Sequence, residues 1–548
     1  MTVPLLQEEH VRNFSRKVIA VMLVLLAAMT FVFAQSISEV KHGEYYGKTV
    51  IIHSNDVHGA IEGYAKIPTL RKFYEDKEAF VIVVDNGDFS QGNPYVSLAK
   101  GASAIYMMNI AGYDAVGLGN HEFDFGYPQL AENIKDANFK VLCADVLGPT
   151  GELLFQPYQV YTTGTGLKIG FFGIITPQTQ TKVNPSLIKG FRFPEGKDLY
   201  ALSQQVVNQM RTEEKCDVII CIGHLGIDSS ASPNTSIELM RNVNGIDFFI
   251  DGHSHSVFSE EEGLPMQQTG TKFANVGVIV IDNATGKIED NFLIPAESIE
   301  DDPEVLAAAK QIIAEVDADY GVKFAESKVD LNGEKAPGNR NMETNNGDLI
   351  TDAMLWAIVN NPSALEVPEE NVVAITNGGG IRAWIRKGDV SMKDVNTVLP
   401  FGNTVAVVYV SGAELLEALE ASTYCTPAAV GGFPQVAGIK YTIDTTKEYA
   451  PNAESYPEST YYGPSEIRRV TINEINGKPF DPAATYAVVT NNFCAVGGDT
   501  YYAFAAATSQ FDTGLPLDEV LMDYITKVLN GVIGEQYAEP QGRITVIQ

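Results

Sequence analysis

Gly119-Asn120-His121-Glu122-Phe123-Asp124 directly follows the short apolar run Ala115-Val116-Gly117-Leu118. Asn120 offers a neutral oxygen ligand to a metal ion, and His121 offers a titratable imidazole. If a helix begins here, Asp124 shares a face with His121 and can orient its ring. For six isolated residues the alternative is turn chemistry with a packed imidazole. The rest of the chain has to decide between the two interpretations.

Apolar, strand-like runs alternate with amphipathic, helix-like intervals from Thr49 onward. This alternation is typical of an α/β core. We therefore predict strands at Val50-Ile51-Ile52, Phe80 to Val84, Ala115 to Leu118, Val141-Leu142, Ile169 to Ile174, Val218 to Ile222 and Phe248 to Ile250.

Metal-binding side chains follow five of these runs: Asp56, His58, Asp88, Asn120, His224, His253 and His255. Because α/β sheets place their sites at the carboxyl ends of strands, we expect these side chains to converge. The chain has eight histidines, and none follows His255. Structural histidines would not stop halfway along the chain, so this distribution favours a functional cluster.

The donors suffice for two divalent metal ions, with Asp88 as the natural shared carboxylate. Two such ions would activate a water and stabilise an in-line displacement at phosphorus. A single structural zinc is the alternative, but such sites favour cysteine and these motifs contain none. Mixed His, Asp and Asn sites accept Zn, Mn, Co or Fe, so the pattern leaves the metal open. His121, with Asp124 beside it, is predicted to act on the phosphoryl oxygens or the leaving group.

The second half contains glycine-rich segments that suggest a ligand site. Gly378-Gly379-Gly380 lets backbone amides approach a ligand, with Arg382 placed to bind an anionic group. Phe433 and Phe493 lie beside other glycines, where two exposed rings could clamp a planar base. The alternatives are a flexible turn and ordinary core phenylalanines. A tyrosine-rich interval, 447–467, is predicted to be a surface insertion.

The chain has 548 residues and a formal net charge of -31. The length predicts two domains. The charge argues against a duplex nucleic acid partner. Arg12, Arg16 and Lys17 precede an apolar segment at 18–33, which predicts a signal peptide at 1–34 or an uncleaved membrane anchor. We expect an exported protein, periplasmic or extracellular, with membrane contact only if this segment is retained. No protein partner is implied.

The ordered motifs resemble two families. Asp56-X-His58, Gly87-Asp88, the segment 119–124, Gly223-His224 and Gly252-His253-Ser254-His255 resemble calcineurin-like metallophosphoesterases. Arg340-X-X-Glu343, Asn377-Gly-Gly-Gly-Ile-Arg382, Phe433-X-Gln435 and Asn492-Phe493 with Gly497-Gly498-Asp499 resemble the carboxy-terminal domain of the 5′-nucleotidase and UDP-sugar hydrolase family.

The resemblance implies a four-layer α/β/β/α metallophosphoesterase domain at 45–299, a linker helix at 300–325 and an α/β nucleotide-binding domain at 326–548. It implies Asp56, His58, Asp88, Asn120, His224, His253 and His255 as metal ligands, with His121 and Asp124 as the catalytic pair. It also implies that Arg340 and Arg382 bind anionic groups, Asn377, Gly379, Phe433 and Phe493 contact the nucleotide, and Asp499 binds the ribose hydroxyls.

The leading hypothesis is a dimetal phosphohydrolase that releases phosphate from nucleoside 5′-monophosphates, with nucleotide diphosphates or UDP-sugars as further substrates. A 2′,3′-cyclic-nucleotide 2′-phosphodiesterase with 3′-nucleotidase activity is the alternative within enzymes. A surface nucleotide-binding protein without turnover is the non-enzymatic alternative, and the intact pair His121 and Asp124 argues against it.

Overall fold

The computed structural model describes residues 45–184, 187–360, 365–457, 459–507 and 509–548. The predicted signal peptide or anchor at 1–34 lies outside these residues. In the described part of the chain, no helix is both long and apolar enough to cross a membrane.

Two sheets form the first half of the molecule. The first has the strand order β12-β11-β1-β2-β3-β4 and the second β5-β6-β7-β8-β10-β9. The strands are β1 (Lys48–Ser54), β2 (Phe80–Asp85), β3 (Ala115–Gly117), β4 (Lys140–Leu142), β5 (Tyr158–Thr162), β6 (Lys168–Ile175), β7 (Val218–His224), β8 (Phe248–Asp251), β9 (Val257–Phe258), β10 (Met266–Thr269), β11 (Asn275–Asp282) and β12 (Ile288–Pro295).

Side-chain alternation along these strands produces four layers. In β1, Ile51 packs in the apolar core between the two sheets, whereas Val50 and Ile52 pack beneath the helices of the first sheet. In β7, Ile220 joins the same central core and Ile219 faces the helices of the second sheet. Successive side chains of a strand point to opposite faces of its sheet, so a strand with apolar residues at every position is buried on both faces. The α/β/β/α architecture is thereby confirmed.

Helices cover the outer faces of both sheets: α1 (Lys66–Glu75), α2 (Pro94–Ser97), α3 (Ala102–Ala111), α4 (Tyr127–Asn133), α6 (Lys197–Gln209) and α7 (Ser236–Asn242). The short helix α5 (Thr179–Lys182) instead contacts the second half of the molecule through Lys182. Helix α8 (Pro303–Tyr320) follows, with Asp302 as its N-cap and Pro303 in its first turn. Its apolar face, including Val305 and Ala309, packs on the core of the first sheet.

The second half is built on a sheet with the order β17-β14-β20-β16-β21, flanked by β15-β13-β22 and β19-β18-β23. Its strands are β13 (Lys323–Ser327), β14 (Val372–Asn377), β15 (Gly388–Ser391), β16 (Thr404–Ser411), β17 (Pro434–Ala437), β18 (Ile439–Asp444), β19 (Val470–Ile475), β20 (Thr485–Asn491), β21 (Ser509–Pro516), β22 (Val532–Ile533) and β23 (Ile544–Ile547). Its helices are α9 (Asn345–Val359), α10 (Met392–Val398), α11 (Gly412–Ser422), α12 (Asn492–Ala495), α13 (Tyr502–Ala505) and α14 (Leu517–Lys527).

The central strand β14 separates two apolar cores of this second half. Val372 and Ala374 pack on one side of the sheet, and Val373 and Ile375 on the other. Its polar end, Asn377, points toward the first half of the molecule, where the cavity described below begins. The fold therefore brings the carboxyl ends of strands from both halves to one place.

Candidate metal centre and substrate cavity

The candidate ligands lie in tight loops at strand ends. The non-glycine residues with left-handed backbone there are Asp56 (φ 50°), His58 (φ 44°), Asp88 (φ 59°), His253 (φ 72°) and His255 (φ 58°). Such conformations cost about 1–3 kcal/mol each and persist only where the surrounding structure enforces them. Their concentration at these loops indicates a functional site.

Two groups of donors meet at Asp88. Asp56, His58, Asp88 and His255 form one group, and Asp88, His224 and His253 form the other, with ligand atoms within 4.8 Å of one another in each. His224 Nε2 lies 3.1 Å from Asp88 Oδ2, and His58 Nε2 lies 3.6 Å from the same oxygen. The structure thus brings six of the seven predicted ligands together around one shared carboxylate.

Hydrogen bonds fix the ring orientation of three histidines. His58 Nδ1 lies 3.2 Å from the Gln91 carbonyl oxygen, and His224 Nδ1 lies 2.6 Å from that of Asn86. A carbonyl only accepts, so each Nδ1–H donates and each Nε2 is left to bind a cation. His253 donates from Nε2 to Gln178 Oε1 at 2.8 Å, which leaves its Nδ1. Partners of this kind orient metal-binding imidazoles in proteins.

Two buried polar atoms support a metal at this position. Asn120 Oδ1 and His224 Nε2 are buried and form no hydrogen bond of normal geometry among the described residues, although His224 Nε2 lies close to the Asp88 carboxylate. Unsatisfied buried polar groups are costly, and a cation would satisfy both. Glycine also leaves space here: a Cβ on Gly119 would lie 2.3 Å from Asp88 Oδ1, and one on Gly252 would lie 2.7 Å from His224 Nδ1. The chemistry of these residues fits a divalent metal site.

His121 and Asp124 form a pair beside the donors. Asn120–Phe123 is a single 3₁₀ turn, so the predicted helix is short, but it still places His121 Nδ1 2.7 Å from Asp124 Oδ2. Burial opposes protonation, yet the carboxylates of Asp124 and Asp88 raise the pKa of His121 above its ordinary value. The backbone N–H of His121 donates to Asp88 Oδ1 at 2.9 Å.

Glu122 has a structural role that the sequence analysis did not assign. Its carboxylate accepts from the backbone N–H groups of Asp88, Phe89, Ser90 and Gly119. Burial raises the pKa of Glu122 to about 7, and these donated bonds oppose the rise. Glu122 therefore holds the loop that carries Asp88 against the loop that carries His121.

A cavity of about 610 Å³ connects these groups with the second half of the molecule. The first half contributes Asp88, Asn120, His121, Asp124, His253 and His255 to its wall. The second half contributes the predicted substrate residues Arg340, Asn377, Gly379, Arg382, Phe493 and Asp499. Six predicted substrate residues and four of the predicted metal donors thus line a common space.

Phe433 does not belong to this wall. Its side chain is fully buried and packs in the core of the second half, beside Val430 and Val436. The prediction that Phe433 clamps a base is therefore wrong, because its fully buried ring does not line the cavity. Its backbone carbonyl accepts from Gly378 N at 2.7 Å, which is a structural contact.

Phe401 lines the cavity instead, and the sequence analysis missed it. Its ring stacks on His121 with centroids 5.6 Å apart, and the Arg382 guanidinium lies 5.6 Å from the ring centroid. Phe401 is half-buried and lies in Leu399-Pro400-Phe401-Gly402, directly before β16. An aromatic residue between proline and glycine in a loop was the available sequence signal.

Comparison with known proteins gives a consistent result. Residues 49–257 match the model of the calcineurin-like phosphoesterase family, and residues 323–506 match that of the 5′-nucleotidase C-terminal domain. The crystal structure of a 5′-nucleotidase precursor from Thermus thermophilus is similar, with a TM-score of 0.74 and 30% identity, covering 91% of this chain and 99% of that one.

Two curated relatives are similar in sequence. Protein UshA of Escherichia coli is 27% identical over 96% of this chain and 98% of its own length. The trifunctional nucleotide phosphoesterase protein YfkN of Bacillus subtilis is 30% identical over 88% of this chain, which spans 34% of that relative's length. The two matched domains, in this order, and the solved relative at 30% identity show that the chain belongs to the 5′-nucleotidase family of metal-dependent phosphomonoester hydrolases.

Proposed function

We propose that this protein hydrolyses nucleoside 5′-monophosphates to nucleosides and phosphate, using two divalent metal ions. One observation carries the proposal: donors that meet at Asp88 share a single cavity with Arg340, Arg382 and the rings of Phe401 and Phe493. A general phosphatase needs only the metals and the cationic groups. The aromatic and polar wall from the second half favours a nucleotide.

Asp56, His58, Asp88 and His255 would hold one ion, and Asp88, Asn120, His224 and His253 the other, with zinc, manganese, cobalt or iron as candidates. Bound there, divalent ions supply Lewis-acid stabilisation of the negative charge on phosphoryl oxygens and lower the pKa of water. The carboxylate of Asp88 is suited to sharing because His224 and His58 approach the same oxygen, Oδ2.

His121 is the proposed acid beside the phosphoryl group. The Asp124 carboxylate beside Nδ1 favours the protonated imidazole. The Nε2–H of that imidazole can then donate to a phosphoryl oxygen or to the leaving alkoxide. Arg340 and Arg382 line the same cavity and can bind the remaining phosphoryl oxygens.

The second half is proposed to bind the nucleoside. Phe401 and Phe493 are proposed to contact the base, and Asn377 and Gly379 line the same cavity. Asp499 is proposed to accept from the ribose hydroxyls. We further propose that the chain is divided at 45–299, 300–325 and 326–548, and that the segment 1–34 directs export.

A substrate panel tests this function. Phosphate release should be measured for 5′-AMP, 3′-AMP, 2′,3′-cyclic AMP, ADP, a UDP-sugar and p-nitrophenyl phosphate, each with added zinc, manganese, cobalt or iron. The proposal expects the highest kcat/KM for 5′-AMP. A preference for 2′,3′-cyclic AMP and 3′-AMP would support the cyclic phosphodiesterase instead, and nucleotide binding without turnover would support the non-enzymatic alternative.

A further inference from the structure

A short segment of the first half contacts both ends of the cavity. Gln178, at its start, accepts from the metal-site histidine His253 at 2.8 Å. Lys182, at its end, donates to Asp499 Oδ1 of the second half at 2.7 Å. Between them lies helix α5 (Thr179–Lys182), and the Thr181 carbonyl accepts from the backbone N–H of Asp499. One helical turn therefore connects the metal donor His253 with Asp499, the proposed ribose site.

The contact between Lys182 and Asp499 is well enclosed. The side chain of Lys182 is 19% exposed and that of Asp499 is 2% exposed. Both residues line the cavity. Ion pairs withdrawn from solvent in this way are screened less by salt than surface pairs, and their geometry constrains both partners.

Asp499 retains binding capacity in this arrangement. Lys182 occupies one lone pair of Oδ1, and Asn377 Nδ2 donates to Oδ2 at 2.8 Å. A carboxylate offers about four acceptor positions, so each oxygen keeps one lone pair. Asp499 lines the cavity, and two adjacent acceptor oxygens match two adjacent hydroxyl groups, as on a ribose.

Lys182 is itself held by the tyrosine-rich interval 447–467. Its ammonium donates to the Tyr461 hydroxyl at 2.7 Å and lies 5.3 Å from the centroid of that ring. Tyr461 is buried, and its ring contacts Tyr424. The interval that the sequence suggested was a surface insertion therefore reaches the inner wall of the site.

We propose that Lys182 is a positioning residue for the ribose: held by Tyr461, it fixes the Asp499 carboxylate relative to the metal donors and so sets recognition of the 2′,3′-diol. The inference rests on the proposed function, because it takes a nucleoside as the ligand at Asp499. It adds to that function a determinant supplied by the first half of the chain.

Lys182→Met tests the proposal, because it keeps an unbranched side chain and removes the ammonium. Binding of adenosine and of 2′,3′-dideoxyadenosine should be measured by calorimetry. We expect adenosine to bind about 10- to 100-fold more weakly, the loss typical of a hydrogen bond to a charged group. The dideoxy ligand should lose almost nothing, since it has no diol to position. In hydrolysis, KM for 5′-AMP should rise by a similar factor while p-nitrophenyl phosphate is unaffected.

Lys393→Met is the matched control. Lys393 also joins the second half to the first part of the chain, donating to Asp317 at 2.7 Å and to Tyr95 at 3.3 Å, but it does not line the cavity. It should leave both affinities unchanged. Tyr461→Phe, which removes only the hydroxyl that holds Lys182, should weaken adenosine binding in the same direction and by less.

Equal losses for both ligands in Lys182→Met, or no loss in Lys182→Met and Tyr461→Phe, would overturn the proposal. Failure of the proposed function looks different: the wild-type protein would then release no phosphate from 5′-AMP. If the wild type hydrolyses 5′-AMP and Lys182→Met binds adenosine as tightly as the wild type, the role of Lys182 is refuted and the proposed function stands.

Discussion

At the residue scale, His121 and His224 are both buried histidines near Asp88, and their contacts predict different roles. His224 presents an unsatisfied Nε2 toward the metal donors, whereas His121 is paired with Asp124. We expect His121→Ala to lower kcat by about 10²- to 10⁴-fold, the usual contribution of general acid catalysis, with metal content unchanged. His224→Ala should lose metal. Elemental analysis of both purified variants separates the two roles, and loss of metal from His121→Ala would make His121 a ligand.

Phe401 and Phe433 provide a second contrast between a cavity residue and a core residue. Stacking of a base on an aromatic ring is worth about 1–3 kcal/mol, so Phe401→Ala should lower kcat/KM for 5′-AMP by about 5- to 150-fold. The loss for a simple sugar phosphate, which has no aromatic group to stack, should be much smaller.

Phe433→Ala should instead destabilise the fold by about 3–5 kcal/mol, because it opens a hole in a packed core. Thermal unfolding and kinetics on both substrates measure these effects. A selective loss of 5′-AMP hydrolysis in Phe433→Ala, with an unchanged unfolding temperature, would show that Phe433 contacts the base.

At the scale of elements, the site depends on how strand-end loops are joined. Glu122 accepts from four backbone N–H groups across two loops. Glu122→Gln replaces one acceptor oxygen by an amide group that cannot accept, so it leaves buried N–H groups unpaired. We expect metal affinity to fall by about 10- to 100-fold, as for other groups that support metal ligands.

Metal titration by calorimetry measures the effect of Glu122→Gln. Glu132→Gln is the matched control, because the same substitution then affects a carboxylate that is 69% exposed and pairs only with Lys135 at the surface. Equal affinities in the two variants would show that the Glu122 hydrogen bonds do not support the metal site.

Strands and their polar ends were predictable because the signal is local. The runs at 50–52, 80–84 and 218–222 fall within β1, β2 and β7, and the donors that follow them converge as expected. Strand β11 was missed, although it pairs antiparallel with β1. Helix α9 begins at Asn345, where the Thr344 side chain caps it by accepting from Gly347 N.

Contacts between distant loops were not predictable in the same way. In the sequence, glycines flank both Phe433 and Phe493. In the fold, Phe433 is completely buried, whereas Phe493, which is 8% exposed and packs in the same core, lies on the cavity wall. Likewise, Lys182 and Tyr461 are 279 residues apart, and only the assembled fold shows that they touch. Local sequence patterns predict which functional side chains lie at strand ends. Which side chains of the second half contact them depends on tertiary packing.

At the scale of the whole molecule, metal binding should stabilise the first half, because the donors come from loops distributed over both of its sheets. A ligand that binds only the folded state stabilises it by about 2.7 kcal/mol at one hundred times its Kd. Chelation should therefore lower the unfolding temperature of the metal-loaded wild-type protein. Calorimetric scans with and without a chelator measure this, and superimposable scans would contradict it.

The central claim is that a metal centre shared through Asp88 hydrolyses a nucleotide bound by the second half. Phosphate release from 5′-AMP should be measured with protein that has been metal-depleted, dialysed and then reconstituted, for the wild type and for Asp88→Asn. We predict no activity after depletion, recovery of the wild type on addition of a divalent ion, and no recovery of Asp88→Asn. Full activity of the depleted protein, or full recovery of Asp88→Asn, would contradict the account.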